Sequence, residues 1–438
     1  MIKESLKVPF KTPYNTPPFS KIENEDYLPT FKEAIESAKN EIDDIVKNEE
    51  APTFDNTIEA LEFSGEQLDS ISSIFFNLNS AETNETIQKI AQEVSPLLSE
   101  FSNDITLNQD LFKRIKTIYN SKDELDLTTE QQTLLDKKYK SFSRNGANLS
   151  DDKKEKLRDI DKKLSQLKLK FGENVLAETN KFEMLITDEN DLSGLPDGTK
   201  EAAKQLAESK EKEGWLFTLD YPSYIPFVTY ADNRALRKKM TLAAGSKGFK
   251  NDGVDNQENV LQIVKLRHER ANLLGYKTHA HFVLEERMAK TPQNVLDFSN
   301  ELLEKAKPAA EREFKNLQNF AKKLDGINHL EKWDGPYYSE KLKQELFSLD
   351  DEKLKPYFKL ENVINGAFTI ANKLFDLNFE EIDTIDKYHE DVLTYKVTDG
   401  KGGLISVFYA DFFPRAGKRN GAWMTSYKPQ YIKDNENS

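Results

Sequence analysis

Apolar residues recur at intervals of three and four through most of the chain, the spacing typical of amphipathic helices. The clearest run begins at Phe54 and continues to Leu78, with Gly65 on the same apolar seam and Thr53 as the predicted N-cap. The same periodicity predicts helices at about 86–101, 128–142, 150–184, 256–274, 292–324 and 361–376. The pattern therefore favours a mainly helical protein.

Near the C-terminus the period changes from helical to twofold. Residues 392–397 and 404–412, joined by the glycine-containing loop 398–403, predict a β-hairpin, and residues 421–427 predict a third strand. Upstream, the stretch 213–222 predicts a short strand. The expected fold class is mainly α, with a small antiparallel sheet near the C-terminus.

Four regions are predicted along the chain. They are an extended N-terminal arm over 1–20, an N-terminal helical region over 21–185, a second helical region over 186–385 and an antiparallel β segment over 386–438. Four prolines in the first twenty residues favour the extended arm, because proline removes a backbone donor and disrupts helices.

Composition excludes several classes of function. The 438 residues contain no cysteine, so disulfides, thiolate metal sites and cysteine nucleophiles are excluded. The 76 acidic residues outnumber the 62 Lys and Arg, which disfavours nucleic acid as a partner. The chain has no apolar stretch long enough for a signal peptide or a spanning helix, so we expect no membrane partner and a cytoplasmic location.

The candidate chemistry is sparse, because the chain contains only five histidines and neither a phosphate-binding loop nor a nucleophile elbow. His268 and Glu269 begin the H-E-x-x-H pattern of zinc proteases, but Asn272 stands where the second histidine would be. His279 and His281 have the spacing of ligands on a strand, yet they open a predicted helix that separates their rings. These residues alone indicate no catalytic residue and no metal ligand.

Nine segments, spread from one end of the chain to the other, carry a resemblance to a known family. They are TPPFSKI (16–22), APTFDNTI (51–58), NLNSAETN (77–84), FSRNGA (142–147), FGENVLAETN (171–180), ANLLGY (271–276), EERMA (285–289), DFFPR (411–415) and GAWM (421–424). In this order they resemble the thimet-oligopeptidase-like zinc metallopeptidases, and in particular their bacterial peptidyl-dipeptidase (dipeptidyl carboxypeptidase) branch.

The resemblance implies a mainly helical fold with two lobes flanking a deep cleft. It also implies zinc-dependent removal of C-terminal dipeptides from short unstructured peptides, by a monomeric enzyme in its complete form. The family's H-E-x-x-H helix, its glutamate ligand and its substrate-binding Tyr and His match no position here. The expectation is an N-terminal part with an incomplete catalytic domain, which binds no zinc and is inactive alone.

One part of the family's substrate site does match positions in this chain. The strand that lines the cleft corresponds to Gly421, Ala422 and Trp423, which we expect to contact the peptide backbone. Two alternatives remain open at this stage. The chain is one half of a split metallopeptidase with a complementing C-terminal chain, or it is a non-catalytic helical peptide-binding protein.

Overall fold

The computed structural model describes residues 2–433, 436 and 437, and helices dominate this part of the chain. The α-helices are α1 (Tyr27–Lys47), α2 (Ala60–Glu62), α3 (Glu66–Ala81), α4 (Glu85–Thr106), α5 (Gln109–Asn120), α6 (Thr129–Arg144), α7 (Asp151–Lys181), α8 (Asp197–Ser209), α9 (Tyr221–Tyr230), α10 (Arg234–Gly245), α11 (Gln257–Leu273), α12 (His279–Leu284), α13 (Pro292–Asp325), α14 (Gly335–Phe347) and α15 (Leu360–Phe375). The mainly helical fold class is confirmed.

The strands are short and pair only antiparallel. They are β1 (Met184–Ile186), β2 (Trp215–Phe217), β3 (Asn378–Glu381), β4 (Leu393–Thr398), β5 (Leu404–Ala410), β6 (Ile432–Lys433) and β7 (Glu436–Asn437). β1 pairs with β2, β6 pairs with β7, and the remaining three form a sheet in the order β3-β4-β5. The predicted hairpin is confirmed as β4 and β5, and the predicted strand near 213–222 is confirmed as β2.

The continuous helix predicted from Phe54 to Leu78 is wrong. Thr53 does cap its start, since its side chain accepts from the Asn56 backbone N–H at 3.1 Å. The first turn is a π-helix, and the chain then breaks at Gly65, which has φ +80° and donates its N–H to the Glu41 carboxylate at 2.8 Å. This left-handed residue separates α2 from α3, and glycine allows it because it lacks a Cβ.

The long helix α13 shows why most of the other helical predictions are confirmed. Thr291 accepts a hydrogen bond from the Asn294 N–H at 3.2 Å, and Pro292 occupies the first helical position. At the other end Gly326 adopts φ +71° and closes the helix. Both ends therefore follow from local residues that the sequence displays.

The largest apolar core lies between α1, α3 and α4. Its buried side chains include Tyr27, Phe31, Ile71, Phe75 and Ala91. A second core joins the end of α1 to α5 and α6. In the part of the chain that the structure describes, no helix is both long and apolar enough to cross a membrane.

The helices near the C-terminal sheet are less covered than those of the N-terminal cores. On α13, Phe298 is 63% exposed, and on α15 Ile370 and Phe375 are 59% and 69% exposed. No residue of α15 is buried in the described structure. These faces are therefore apolar surfaces in contact with solvent.

Candidate functional site

The residues expected to contact peptide, Gly421, Ala422 and Trp423, lie in an irregular segment after β5. The third strand predicted over 421–427 is therefore wrong, and the third strand of this sheet is β3. Gly421 has φ +116°, a conformation that interrupts an extended ladder. All three residues are exposed, with Trp423 at 43%, and whether they contact a peptide stays a prediction.

Backbone contacts with the N-terminal helices, rather than strand pairing, fix the position of this segment. Thr83 N–H donates to the Gly417 carbonyl at 2.7 Å, and Arg419 N–H donates to the Ser80 carbonyl at 2.9 Å. A Cβ on Gly417 would lie only 2.7 Å from the Thr83 carbonyl oxygen, so the close approach requires glycine. The segment before Trp423 is therefore docked on the end of α3.

An ion cluster fixes the start of the same segment. The Arg415 guanidinium donates to the Asp411 carboxylate at 2.9 and 2.8 Å, to the Ala81 carbonyl at 2.6 Å, and to the Glu82 carboxylate. Lys418 adds a further contact to Asp411 at 2.8 Å. Burial would raise the pKa of Asp411, but hydrogen bonds from Arg415 and Lys418 outweigh it and lower that pKa to about 2.

An aromatic cluster joins the N-terminal arm to the sheet. The ring of Phe19 makes edge contacts with Tyr388, Tyr409 and Tyr427, with centroids 5.6, 6.2 and 5.8 Å apart. Asn77 on α3 donates to the Tyr427 hydroxyl at 2.5 Å. Burial raises the pKa of the Tyr427 hydroxyl, so it stays protonated at neutral pH. The cluster therefore provides a rigid support behind the exposed segment.

The outer edge of β5 is the part of this region best suited to bind an extended peptide. Among the described residues, β5 pairs only with β4 and is the last strand of its sheet. Leu404, Ile405 and Phe408 are 50%, 53% and 41% exposed along it. An edge strand carries unpaired N–H and C=O groups that can accept another strand. The apolar run 404–410 was the sequence signal for this edge, whereas peptide contact was predicted at Gly421, Ala422 and Trp423.

In the part of the chain that the structure describes, the histidines of α11 and α12 do not assemble into a zinc site. His268 Nε2 lies 3.1 Å from the Asn272 amide nitrogen, and His281 Nδ1 lies 2.8 Å from the Thr278 hydroxyl. His279 shares helix α12 with His281, as expected from the sequence. Among the described residues, no group of three or more His, Cys, Asp or Glu side chains could hold a metal ion. The donor set present here therefore does not fit zinc, and we derive no chemical step through it.

Two protein-family models match the chain. Peptidase family M3 matches residues 227–437, and the neurolysin/thimet oligopeptidase N-terminal domain matches residues 31–154. Together these models cover most of the helical regions and the C-terminal sheet.

Individual proteins with oligopeptidase and carboxypeptidase names match nearly the whole of this chain. Oligopeptidase A from Escherichia coli (strain K12) is 36% identical over 420 residues, which are 95% of this chain and 62% of that protein. Dipeptidyl carboxypeptidase from the same strain is 34% identical over 95% of this chain and 62% of its own length. Organellar oligopeptidase A from Arabidopsis thaliana is 32% identical over 95% and 54%, respectively. The chain thus spans less than two thirds of the relatives that it matches.

Proposed function

This chain belongs to peptidase family M3, and on that premise we propose that it forms the peptide-binding part of a zinc-dependent oligopeptidase that removes C-terminal dipeptides from short peptides. The observation that carries the proposal is the unpaired apolar edge of β5, supported from behind by the aromatic cluster around Phe19. Short unstructured peptides are the partners in this proposal. The cytoplasmic location remains a prediction.

Binding on this edge would use the backbone of β5 for affinity and its side chains for selection. An added strand satisfies outward N–H and C=O groups, while alternate side chains contact the peptide. Ile405 and Phe408 supply apolar contact on the edge strand. Trp423 lies in the docked segment beyond β5, and its ring offers a further exposed surface.

The proposal assigns no hydrolytic step to these residues. The printed sequence contains no H-E-x-x-H, and the described side chains offer no zinc site. Zinc, when held by a complete family site, supplies an activated water. We propose that this chain binds peptides without cleaving them, and that cleavage requires ligands from residues outside these 438, including those of a complementing chain.

A peptide titration tests this proposal. The probe is an unstructured eight-residue peptide, and its binding is measured by isothermal titration calorimetry. Dipeptide release is measured by chromatography in the presence of zinc. We expect saturable binding without dipeptide release. Ile405→Lys places a charge on the strand edge and is expected to weaken binding by about tenfold or more.

The matched control is Leu261→Lys, which replaces an apolar residue of α11 that is 65% exposed. We expect it to bind peptide within about twofold of the native chain. Equal binding by the native chain and Ile405→Lys would exclude the β5 edge as the site. Dipeptide release that a chelator abolishes would show instead that the chain holds a working metal site.

A further inference from the structure

A cavity of about 530 Å³ lies among α4, α6, α7, α11 and α12, away from the C-terminal sheet. Half of its fourteen lining residues carry hydroxyl or amide groups, and three carry basic side chains. The lining residues with hydroxyl or amide groups are Ser99, Ser102, Asn103, Thr106, Ser141, Asn145 and Ser165. Neither the peptide site nor the docked segment uses this cavity.

Three cations and one carboxylate line the cavity. Arg270 is fixed in position: its Nε donates to Asp161 at 2.6 Å and its Nη2 donates to Asn145 at 3.1 Å. Lys168 and Arg267 also line the cavity, and within the described structure neither makes an ion pair or a side-chain hydrogen bond. Asp161 offsets one of the three charges, so the cavity keeps a formal charge of about +2 in a chain of net charge −14.

The pKa of His279 is affected by the same basic side chains. It lines the cavity and is half-buried. Burial lowers its pKa first, and the nearby Arg267, Arg270 and Lys168 lower it further. Asp161 is the carboxylate that also lines this space. At neutral pH the imidazole is therefore uncharged and offers one N–H donor to a ligand.

The aromatic wall of the cavity disfavours a nucleobase as the ligand. Phe282 is already covered by two guanidinium groups, with Arg144 and Arg270 at 4.8 and 5.1 Å from its ring centroid. A base would have to displace one of them in order to stack. The remaining lining offers hydrogen-bond donors and positive charge, which suit a compact oxyanion.

We propose that this cavity binds a small doubly charged oxyanion, namely phosphate or the phosphate group of a small phosphomonoester. The unpaired Arg267 and Lys168 supply a charge of +2 that matches a phosphate dianion. The hydroxyl groups of Ser102 and Thr106 and the His279 N–H supply donors for its oxygens. This site is independent of the peptide-binding proposal and does not depend on its outcome.

Histidine-selective NMR tests the proposal, because the chain contains only five histidines. Inorganic phosphate is titrated at pH 7 and constant ionic strength, with chloride as the balancing anion, and His279→Gln assigns the signal. We expect a saturable shift of the His279 signal and a rise of about one unit in its pKa when phosphate is bound. Glycerol phosphate in a parallel titration distinguishes the two sources, since tighter binding of the ester identifies a phosphomonoester.

Substitutions distinguish phosphate binding in the cavity from a general effect of the protein's charge on phosphate binding. Arg267→Gln is expected to weaken phosphate binding by about tenfold or more, and the exposed Lys168→Gln provides a second variant with little effect on folding. Lys265→Gln removes the same charge from α11 at a residue that is 77% exposed and paired with Glu269, and should change the affinity less than about twofold.

Three results would overturn the proposal. They are the absence of a saturable His279 shift, an equal loss of affinity in Lys265→Gln and Arg267→Gln, and equal binding of singly charged acetate. The first would show that no anion enters the cavity. The second would show that phosphate binding depends only on the overall charge of the protein. The third would show that the cavity does not select a dianion.

Discussion

Asp411 and Arg415 form a two-pronged ion pair, in which the Arg415 Nη1 and Nη2 atoms lie 2.9 and 2.8 Å from the two Asp411 carboxylate oxygens. Both side chains are largely buried, at 10% and 13% exposure. The pair fixes the chain between β5 and the docked segment. Arg415 also donates a hydrogen bond to the Glu82 carboxylate at the end of α3. The pair itself is local in sequence, and the bond from Arg415 to Glu82 turns it into a tertiary contact with a distant part of the chain.

This pair makes stability depend on pH in a defined direction. The pKa of Asp411 is near 4 in an unfolded chain and about 2 in the folded protein. Because the folded value is lower, its stabilisation is complete above pH 4 and is lost as pH falls toward 2. We expect Asp411→Asn to reduce the free energy of unfolding by about 2 kcal/mol at pH 7 and by about half as much at pH 3.

Urea denaturation of both proteins at the two pH values measures this effect. Asp383→Asn is the control, because Asp383 is an exposed carboxylate in the chain between β3 and β4. That control should stay within about 0.5 kcal/mol of the native chain at both pH values. A constant difference for Asp411→Asn at pH 7 and pH 3 would contradict the proposed ionisation.

Asp334 is fully buried and should be essential for the fold around α10 and α14. Its carboxylate accepts from Arg234 at 2.8 and 2.6 Å and from the buried Arg237 at 3.3 Å. Asp334→Ala leaves the Arg237 charge without its ionic partner, so we expect a loss of about 3 kcal/mol in unfolding free energy. Glu331→Gln, on the same loop, should lose less than about 0.5 kcal/mol in the same urea measurement. A loss below about 1 kcal/mol for Asp334→Ala would show that backbone carbonyls alone satisfy Arg237.

On α11, Asn272 stands where the second histidine of an H-E-x-x-H pattern would be, four residues after His268. Its amide contacts His268 at 3.1 Å, so residues four apart do meet on this helix face. Asn272→His should therefore bind zinc about tenfold more tightly than the native chain, as measured by calorimetry. Peptide hydrolysis should remain absent, because two histidines do not complete a catalytic site. Asn272→Ala is the control, and an unchanged zinc affinity in Asn272→His would mean that the helix face cannot orient both rings.

The exposed apolar faces of α13 and α15 should cause self-association in the isolated chain. Large apolar patches in contact with water favour association. We expect the apparent mass in size-exclusion chromatography with light scattering to rise with protein concentration. Ile370→Lys combined with Phe375→Lys should reduce this rise, whereas Gln205→Lys, at an exposed position of α8, should not. A constant monomer mass at high concentration would show that these faces are stable in water.

Local sequence signals predicted six long helices that are confirmed, α4, α6, α7, α11, α13 and α15, and the failures have identifiable causes. The helices predicted at 150–184 and 292–324 correspond to α7 and α13. Both were predictable because periodicity and capping residues are local features of the sequence. The break at Gly65 was missed because it depends on Glu41, a partner on another helix. The sequence showed the glycine but not the contact that gives it its conformation.

The sheet and the candidate site show the limit of local reasoning more clearly. β3 was missed because the chain between it and β4 is long, and β3 is defined by its pairing rather than by its own pattern. The stretch 421–427 has strand-like composition. However, the Gly417 carbonyl accepts from the Thr83 N–H and the Arg419 N–H donates to the Ser80 carbonyl, and these contacts give the stretch another position. The family resemblance is confirmed, whereas the four-region division and the contacts of Gly421, Ala422 and Trp423 stay predictions.

The aromatic cluster around Phe19 sets an order of events during synthesis on the ribosome. Phe19 emerges early, but its partners Tyr409 and Tyr427 are translated some four hundred residues later. At about 5–20 residues per second, the N-terminal arm waits on the order of half a minute for them. Throughout that interval the Phe19 ring is without these contacts, so the arm can take its final position against the sheet only after Tyr427 has been made.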